Sequence, residues 1–185
     1  MTENARKVIH LLALVVPPVS ELTSKPFVLA TLSIITIAYT LGEVLRLKGH
    51  GLPIITPITV KMSRPEERTN FIVRPAYFAI GIILALILYP SAIAYASICI
   101  LAVGDSAAAI VGERFGQRRI VRRKTVEGFA AGLTAAFLVA SFLVSPLIAL
   151  LGAVGAMIME LLDVPDDNLT MPIVAGALMS LATLT

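Results

Sequence analysis

The sequence is short of most features that hold small soluble domains together. It has a single cysteine, Cys99, which excludes an intrachain disulfide and a cysteine-built zinc cluster. It has no tryptophan and no Gly-rich, Ser-rich or acidic tail. Charged residues are only 15% of the 185, against about 25% in an ordinary soluble domain. Against these shortages stands an excess: 57% of the residues are hydrophobic and the mean hydropathy is +0.90. A soluble globular domain and a disordered chain are both excluded on composition.

The apolar residues fall into runs. A bilayer-spanning helix needs about 20 mostly apolar residues. Seven candidate spans are read: Val8–Ser20, Phe27–Leu45, Pro75–Pro90, Ala92–Gly112, Val126–Val144, Pro146–Leu162 and Thr170–Thr185. Turn signals separate them at Ser24-Lys25-Pro26, Tyr89-Pro90-Ser91, Ser145-Pro146 and Val164-Pro165-Asp166. The first run follows Arg6-Lys7 as a secretory signal would. It leads into Ser20-Glu21-Leu22-Thr23-Ser24-Lys25 rather than a small-residue cleavage site, so a first span is expected. The expected fold is all-α: a polytopic bundle of about seven transmembrane helices, residues 1–185 forming one integral-membrane domain. With the N-terminus in the cytoplasm, 14 of the 15 Lys and Arg fall on one side, and only Lys25 lies opposite. The positive-inside rule makes that side cytoplasmic. The formal net charge of +3 therefore reflects topology, and no nucleic-acid partner is expected.

Three motifs on that side carry chemistry. The first is Gly104-Asp105-Ser106-Ala107-Ala108-Ala109-Ile110-Val111-Gly112, continuing to Gly116. At helical spacing Asp105, Ala109, Gly112 and Gly116 share a face. Small residues let a second backbone or a ligand approach, and a helix-packing seam has the same pattern. A carboxylate inside an apolar run is costly and usually faces a polar cavity or an ion.

The second motif is Arg118-Arg119-Ile120-Val121-Arg122-Arg123-Lys124-Thr125-Val126-Glu127-Gly128. Topology and attraction to anionic lipid explain Arg118 and Arg119. Arg122, Arg123, Lys124 and Thr125 lie just before a helix N-terminus and suit the phosphates of a nucleotide. No Gly-x-x-x-x-Gly-Lys-Ser/Thr run occurs, so this is not a Walker loop.

The third motif is Glu160-Leu161-Leu162-Asp163-Val164-Pro165-Asp166-Asp167-Asn168-Leu169-Thr170-Met171-Pro172. Helix capping by Asn168 or Thr170 accounts for part of it. The surplus of carboxylates suits a hard divalent cation, and Asp105, Glu160, Asp166 and Asp167 are the candidate metal ligands. His10 is read either as an interfacial hydrogen-bonding residue or as a phosphate contact. Acidic and basic motifs on one face fit a multivalent anion bridged by a metal, as phosphoryl or nucleotidyl transfer requires.

Taken in order, Gly104-Asp105 with Ala108, Gly112 and Gly116, then Lys124-Thr125-Val126-Glu127-Gly128, then Glu160 and Asp166 to Thr170 with Pro172, resemble the CTP-dependent polyprenol kinase family. That family holds dolichol kinases, phytol kinases and CTP-dependent diacylglycerol kinases. It is distantly related to phosphatidate cytidylyltransferases. Arg6-Lys7 with His10 resembles its N-terminal element, whereas Glu43 to Arg74 carries no motif. The chain is similar in size to a bare catalytic core, as in prokaryotic and particularly archaeal members.

The resemblance implies transfer of the γ-phosphate of CTP, with Mg²⁺, to an isoprenoid alcohol entering from the bilayer. The active site would lie on the cytoplasmic side of a multi-pass cell-membrane protein. Asp105, Lys124 and Glu127 are the implied catalytic residues. Gly104, Gly112, Gly116, Arg122, Arg123, Lys124, Thr125, Asn168 and His10 are the implied nucleotide and phosphate contacts. A cytidylyltransferase making a CDP-lipid is the near alternative, although its Pro-Gly-His-Gly-Gly signature is absent. A small secondary transporter is the distant one. Small-residue faces also permit a homodimer.

Overall fold

The computed structural model describes residues 9–53, 55–63, 68–122, 124–162 and 166–184, without the side chains of 55, 58, 61 and 62. Arg6, Lys7, Arg123 and Asp163 lie outside the described residues.

Eight helices and one small hairpin are described. Helix α1, Ile9–Leu22, tightens into a 3₁₀ turn at Leu12–Val15 and continues through Pro17 and Pro18. Helix α2, Lys25–Leu47, begins where the Ser24 hydroxyl accepts the Phe27 amide at 3.3 Å, with Pro26 in the first turn. It stops at Gly49, whose φ of +83° is open to glycine. There the Gly49 amide reaches the Arg46 carbonyl and the His50 amide the Leu45 carbonyl, a Schellman close.

Helix α3 is Ile55–Met62 and helix α4 is Arg74–Leu88. Helix α5 runs from Ser91 to Phe115 and contains a π turn at Ile100–Gly104, directly before Asp105. Such one-turn widenings inside helices recur at functional sites. An antiparallel hairpin follows, β1 Arg119–Val121 and β2 Lys124–Thr125. Helices α6 Val126–Ala140, α7 Pro146–Leu162 and α8 Asp167–Ala182 complete the chain.

The all-α expectation holds, and a helix lies at each of the seven apolar runs. The seven crossings are not confirmed. Among the described residues, only α2 and α5 are long and apolar enough to span a bilayer; the shorter apolar helices have 10–17 residues. At 1.5 Å per residue, 17 residues reach about 25 Å, short of a hydrocarbon layer of about 30 Å. Helix-breaking geometry trims the runs at their ends. Examples are the extended backbone at Tyr89 and the non-helical stretch at Ser141–Ser145.

The core is built around α5. Ala94, Ala96, Ile98, Ile100, Leu101 and Ala102 are fully buried, surrounded by α4, α6, α7 and α8. Helices α5 and α6 form the most extensive pair, followed by α7 and α8; Met157 packs against Gly104 and Gly132, and Met179 against Gly152. The first half of α5 is thus buried all round, as a central helix must be. Helix α2 is the opposite case: Ile34, Ile35, Ile37 and Leu41 are more than half exposed, an apolar face turned away from the protein.

Candidate functional site

Two close backbone approaches bring the motifs together. Gly128, on α6, lies against α5. A Cβ there would come within 2.6 Å of the Ala108 carbonyl oxygen and 3.1 Å of the Gly112 Cα. Only glycine lets α6 sit this low, and the strand that leads into it carries Lys124 and Thr125 to the same cavity as Asp105. The second approach is Gly81 on α4, which leaves room for Leu169 and Pro172 on α8. Pro172 has no N–H to return to the Asn168 carbonyl, so the start of α8 is held by packing and by its cap.

The result is a cavity of about 780 Å³ between α1, α2, α4, α5, the hairpin, α7 and α8, within the range of roughly 300–1,000 Å³ typical of small-molecule sites. One part is apolar, with Leu12, Val16, Leu32, Ile35, Phe78 and Ile82 on its walls. Leu12 and Ile35 are 62% and 58% exposed, so this part opens toward the outer apolar surface of α1 and α2. The other part is polar. Asp105, Glu113, Glu160 and Asp167 line it together with Lys124 and Arg74. Among the described residues, four carboxylates therefore face two permanent cations.

Within the polar part the contacts are specific. The Lys124 ammonium donates to Glu160 Oε1 and lies 3.5 Å from Asp167 Oδ2. Burial works against the Lys124 charge, but the fields of Glu160 and Asp167 outweigh it. Its pKa lies above the ordinary value of 10.5, and Lys124 is an ammonium at neutral pH. His10 Nδ1 donates to Asp105 Oδ2 at 2.8 Å, and the imidazole stacks on Phe78 with ring centroids 4.5 Å apart. His10 therefore sits where the apolar and polar parts meet. Asn168 donates both its backbone and side-chain N–H groups to Asp166 Oδ1, at 3.1 and 2.7 Å. Its own Oδ1 is buried without a hydrogen-bond partner, which is uncommon for a buried polar atom.

The structure gathers His10, Asp105, Gly112, Lys124, Thr125, Glu160, Asp167 and Asn168 around this one cavity. It distributes the other predicted residues differently. Asp166 is the N-cap of α8; its second oxygen lies 3.8 Å from Arg74 Nη1, and it is not on the cavity wall. Glu127 faces the other side of its helix and accepts the backbone amides of Gln117 and Arg118, fastening the loop before the hairpin. Thr125 spends an oxygen lone pair as the N-cap of α6, accepting from the Gly128 amide at 3.1 Å. Gly104 packs against Ala136 and Met157 in the core, and Gly116 against Thr125. Arg122 is exposed, with φ +51°, just after β1.

Between Glu43 and Arg74, a stretch blank in sequence, several described residues gather around a buried ion pair. Arg46 grips both oxygens of Glu43, at 2.9 and 2.8 Å, and donates to the Arg68 carbonyl at 2.7 Å. Glu43 accepts the Ile72 amide at 3.1 Å and Tyr39 donates to the Ile72 carbonyl at 2.6 Å. This clip delivers Arg74, Pro75 and Phe78 to the cavity. The one sequence signal for it was Glu43 and Arg46 at i, i+3 near the end of an apolar helix.

Divalent-cation binding can be judged from the donors. Among the described residues, no three His, Cys, Asp or Glu side chains are grouped to hold a metal ion unaided. Glu160, Asp167 and Asn168 line one cavity and carry hard oxygen donors, the Asn168 Oδ1 being buried and unpartnered. Mg²⁺ commonly takes one or two carboxylates and completes its shell with substrate phosphates. The residues fit a metal that arrives with phosphate.

Comparison with known proteins agrees with this picture. The chain is 31% identical over 183 residues to uncharacterized protein MJ1137 of Methanocaldococcus jannaschii, covering 95% of this chain and 92% of that one. The chain belongs to the same family as that archaeal protein. It is also 39% identical over 102 residues to probable phytol kinase 3, chloroplastic, of Glycine max. It is 40% identical over 85 residues to farnesol kinase, chloroplastic, of Arabidopsis thaliana. These matches cover 52% and 43% of this chain but only 32% and 28% of the plant proteins, so the chain spans about a third of their length. Partial homology to phytol and farnesol kinases supports a polyprenol-kinase-like family, as the three motifs imply. No family model and no solved structure matches the chain.

Proposed function

We propose that this protein is a membrane kinase that phosphorylates an isoprenoid alcohol, with CTP as donor and Mg²⁺ bound alongside the nucleotide. One observation carries the reading: a single cavity joins an outward-opening apolar groove to a buried carboxylate–lysine cluster. An amphiphilic alcohol needs both ends of such a site. Relatives named for phytol and farnesol kinase activity support the acceptor class.

In this reading the isoprenoid chain lies along Leu12, Val16, Leu32, Ile35 and Phe78, and its hydroxyl reaches the junction at His10 and Asp105. The hydroxyl oxygen attacks the γ-phosphorus and the bond from that phosphorus to the β,γ-bridging oxygen breaks. CDP leaves with the bridging oxygen, and the hydroxyl proton passes to the His10–Asp105 pair. Lys124 holds phosphate oxygens as a point charge, and Arg74 contributes from the opposite wall. Mg²⁺, when bound by Glu160, Asp167 and Asn168, supplies charge neutralisation across the phosphates. Asp166 fixes the Asn168 amide and pairs with Arg74. Glu127 shapes the hairpin that carries Lys124. The exposed apolar face of α2 and the one-sided distribution of Lys and Arg support a multi-pass membrane protein with this site at the cytoplasmic face.

The test uses purified protein in detergent with CTP labelled at the γ-phosphate, Mg²⁺, and farnesol, phytol or a longer polyprenol. Label in the lipid phosphate with release of CDP is the expected result. Cytidine label in the lipid with release of pyrophosphate would replace this reading by nucleotidyl transfer.

A further inference from the structure

We propose that the Lys124 ammonium is an exchangeable occupant of the divalent-cation position between Glu160 and Asp167, so that the metal binds together with a nucleotide and poorly alone. The inference rests on reading this cavity as a metal–nucleotide site and adds an order of assembly to it.

Lys124 donates to Glu160 and lies 3.5 Å from Asp167, so one ammonium stands between the two carboxylates best placed to ligate a cation. Asn168, 4% exposed, lines the same cavity and has a buried Oδ1 with no hydrogen-bond partner. An amide carbonyl oxygen is a hard donor of the kind a divalent ion takes. The anchoring differs as well. Glu160 is in the last turn of α7 and Asp167 in the first turn of α8, both rigid elements. Lys124 sits on a two-residue strand with a flexible four-carbon stem, and its side chain is 28% exposed. The lysine can move while the carboxylates stay.

A metal ion and an ammonium cannot share this position, because two cations a few ångströms apart repel strongly at low dielectric. Without phosphate, the entering metal must drive Lys124 out with no new anion to receive it. With a nucleotide present, the phosphates accept Lys124 and complete the metal shell. Metal and nucleotide affinities are then coupled, and linkage makes the coupling reciprocal.

The test is Mn²⁺ binding, read by electron paramagnetic resonance, to the full chain in detergent without any lipid alcohol. Wild type is expected to bind Mn²⁺ weakly alone and at least about tenfold more tightly with CTP, a coupling of ordinary allosteric size. Lys124→Met and Lys124→Gln, checked for folding by size exclusion and thermal unfolding, should each bind Mn²⁺ alone about tenfold more tightly than wild type. Adding Glu160→Gln should remove that gain. Equal Mn²⁺ affinity of the wild type with and without CTP would overturn the proposal. So would a folded Lys124→Met or Lys124→Gln protein with no gain, which would make Lys124 a structural ion-pair partner only. If wild type fails to bind CTP at all, the kinase reading fails, and the nucleotide-free gain in the variants still decides whether Lys124 occupies a metal position.

Discussion

At the scale of single residues, the cavity separates charges that line it from charges held elsewhere. Asp105 is buried at 2% exposure and bonded to His10, so its carboxylate is held at the junction of the apolar and polar parts. Asp105→Asn should lower turnover by at least about 10²-fold, the usual scale for losing a general acid–base group, while leaving the unfolding temperature near that of wild type. Steady-state kinetics beside thermal unfolding checks both halves. Lys124→Ala should raise the nucleotide dissociation constant far more than Arg118→Ala, because Lys124 lies in the cavity and Arg118 is exposed beside the loop. Calorimetric titration with nucleotide would show comparable losses for the two if the phosphates were instead held by the outer arginines. At this scale the sequence was informative about residue type and much less so about role. Asp166 and Asp167 are adjacent and chemically identical. One caps α8 and pairs with Arg74, the other faces the cavity, and only the local backbone at the helix start distinguishes them.

At the scale of elements, the site depends on how low α6 rides on α5 and on where α8 begins. Gly128→Ala places a methyl group against the Ala108 carbonyl. Overpacking of this kind costs about 1–3 kcal/mol, and here it also pushes Lys124 away from Glu160. Thermal unfolding and nucleotide binding should therefore fall together, whereas a Gly128→Ala protein that lost stability but kept full affinity would detach the hairpin from that contact. Asp166→Ala removes the α8 cap, a loss of about 1 kcal/mol, and frees the Asn168 amide. Asp166→Asn should recover most of the stability but not the pairing with Arg74, which nucleotide titration of the two variants would separate. Seven of the eight described helices were legible from apolar runs, some with prolines at their starts, and α3 was not. The π turn before Asp105 and the Glu43–Arg46 clip were not. A one-residue widening leaves no mark in periodicity, and an i, i+3 ion pair reads as an ordinary helix-end charge until the loop it grips is known.

At the scale of the whole molecule, the question is where the cavity lies relative to a bilayer. Among the described residues, two helices have the length and apolarity to cross, and the other apolar helices are shorter. With Cys99 replaced by Ser, single cysteines at Arg118 and at Lys25 should label from opposite sides of sealed vesicles, Arg118 from the cytoplasmic side. Labelling of both from one side would remove the membrane-face argument while leaving the cavity chemistry intact.

What the sequence determined by itself was the material: a helical, apolar chain with its basic residues clustered between apolar runs, and three motifs whose residue types suit a phosphorylated ligand and a hard cation. Composition and periodicity dictate these because burial and charge desolvation act on every residue of a given kind alike. What only the tertiary structure decided was which members of each motif share one cavity, with Lys124 between Glu160 and Asp167 while Glu127, Asp166 and Arg122 lie off its wall. Residues 43 positions apart, as Lys124 and Asp167 are, meet through helix crossings. Those crossings depend on a few close contacts such as Gly128 on Gly112, whose effect is invisible until the two backbones are seen to touch.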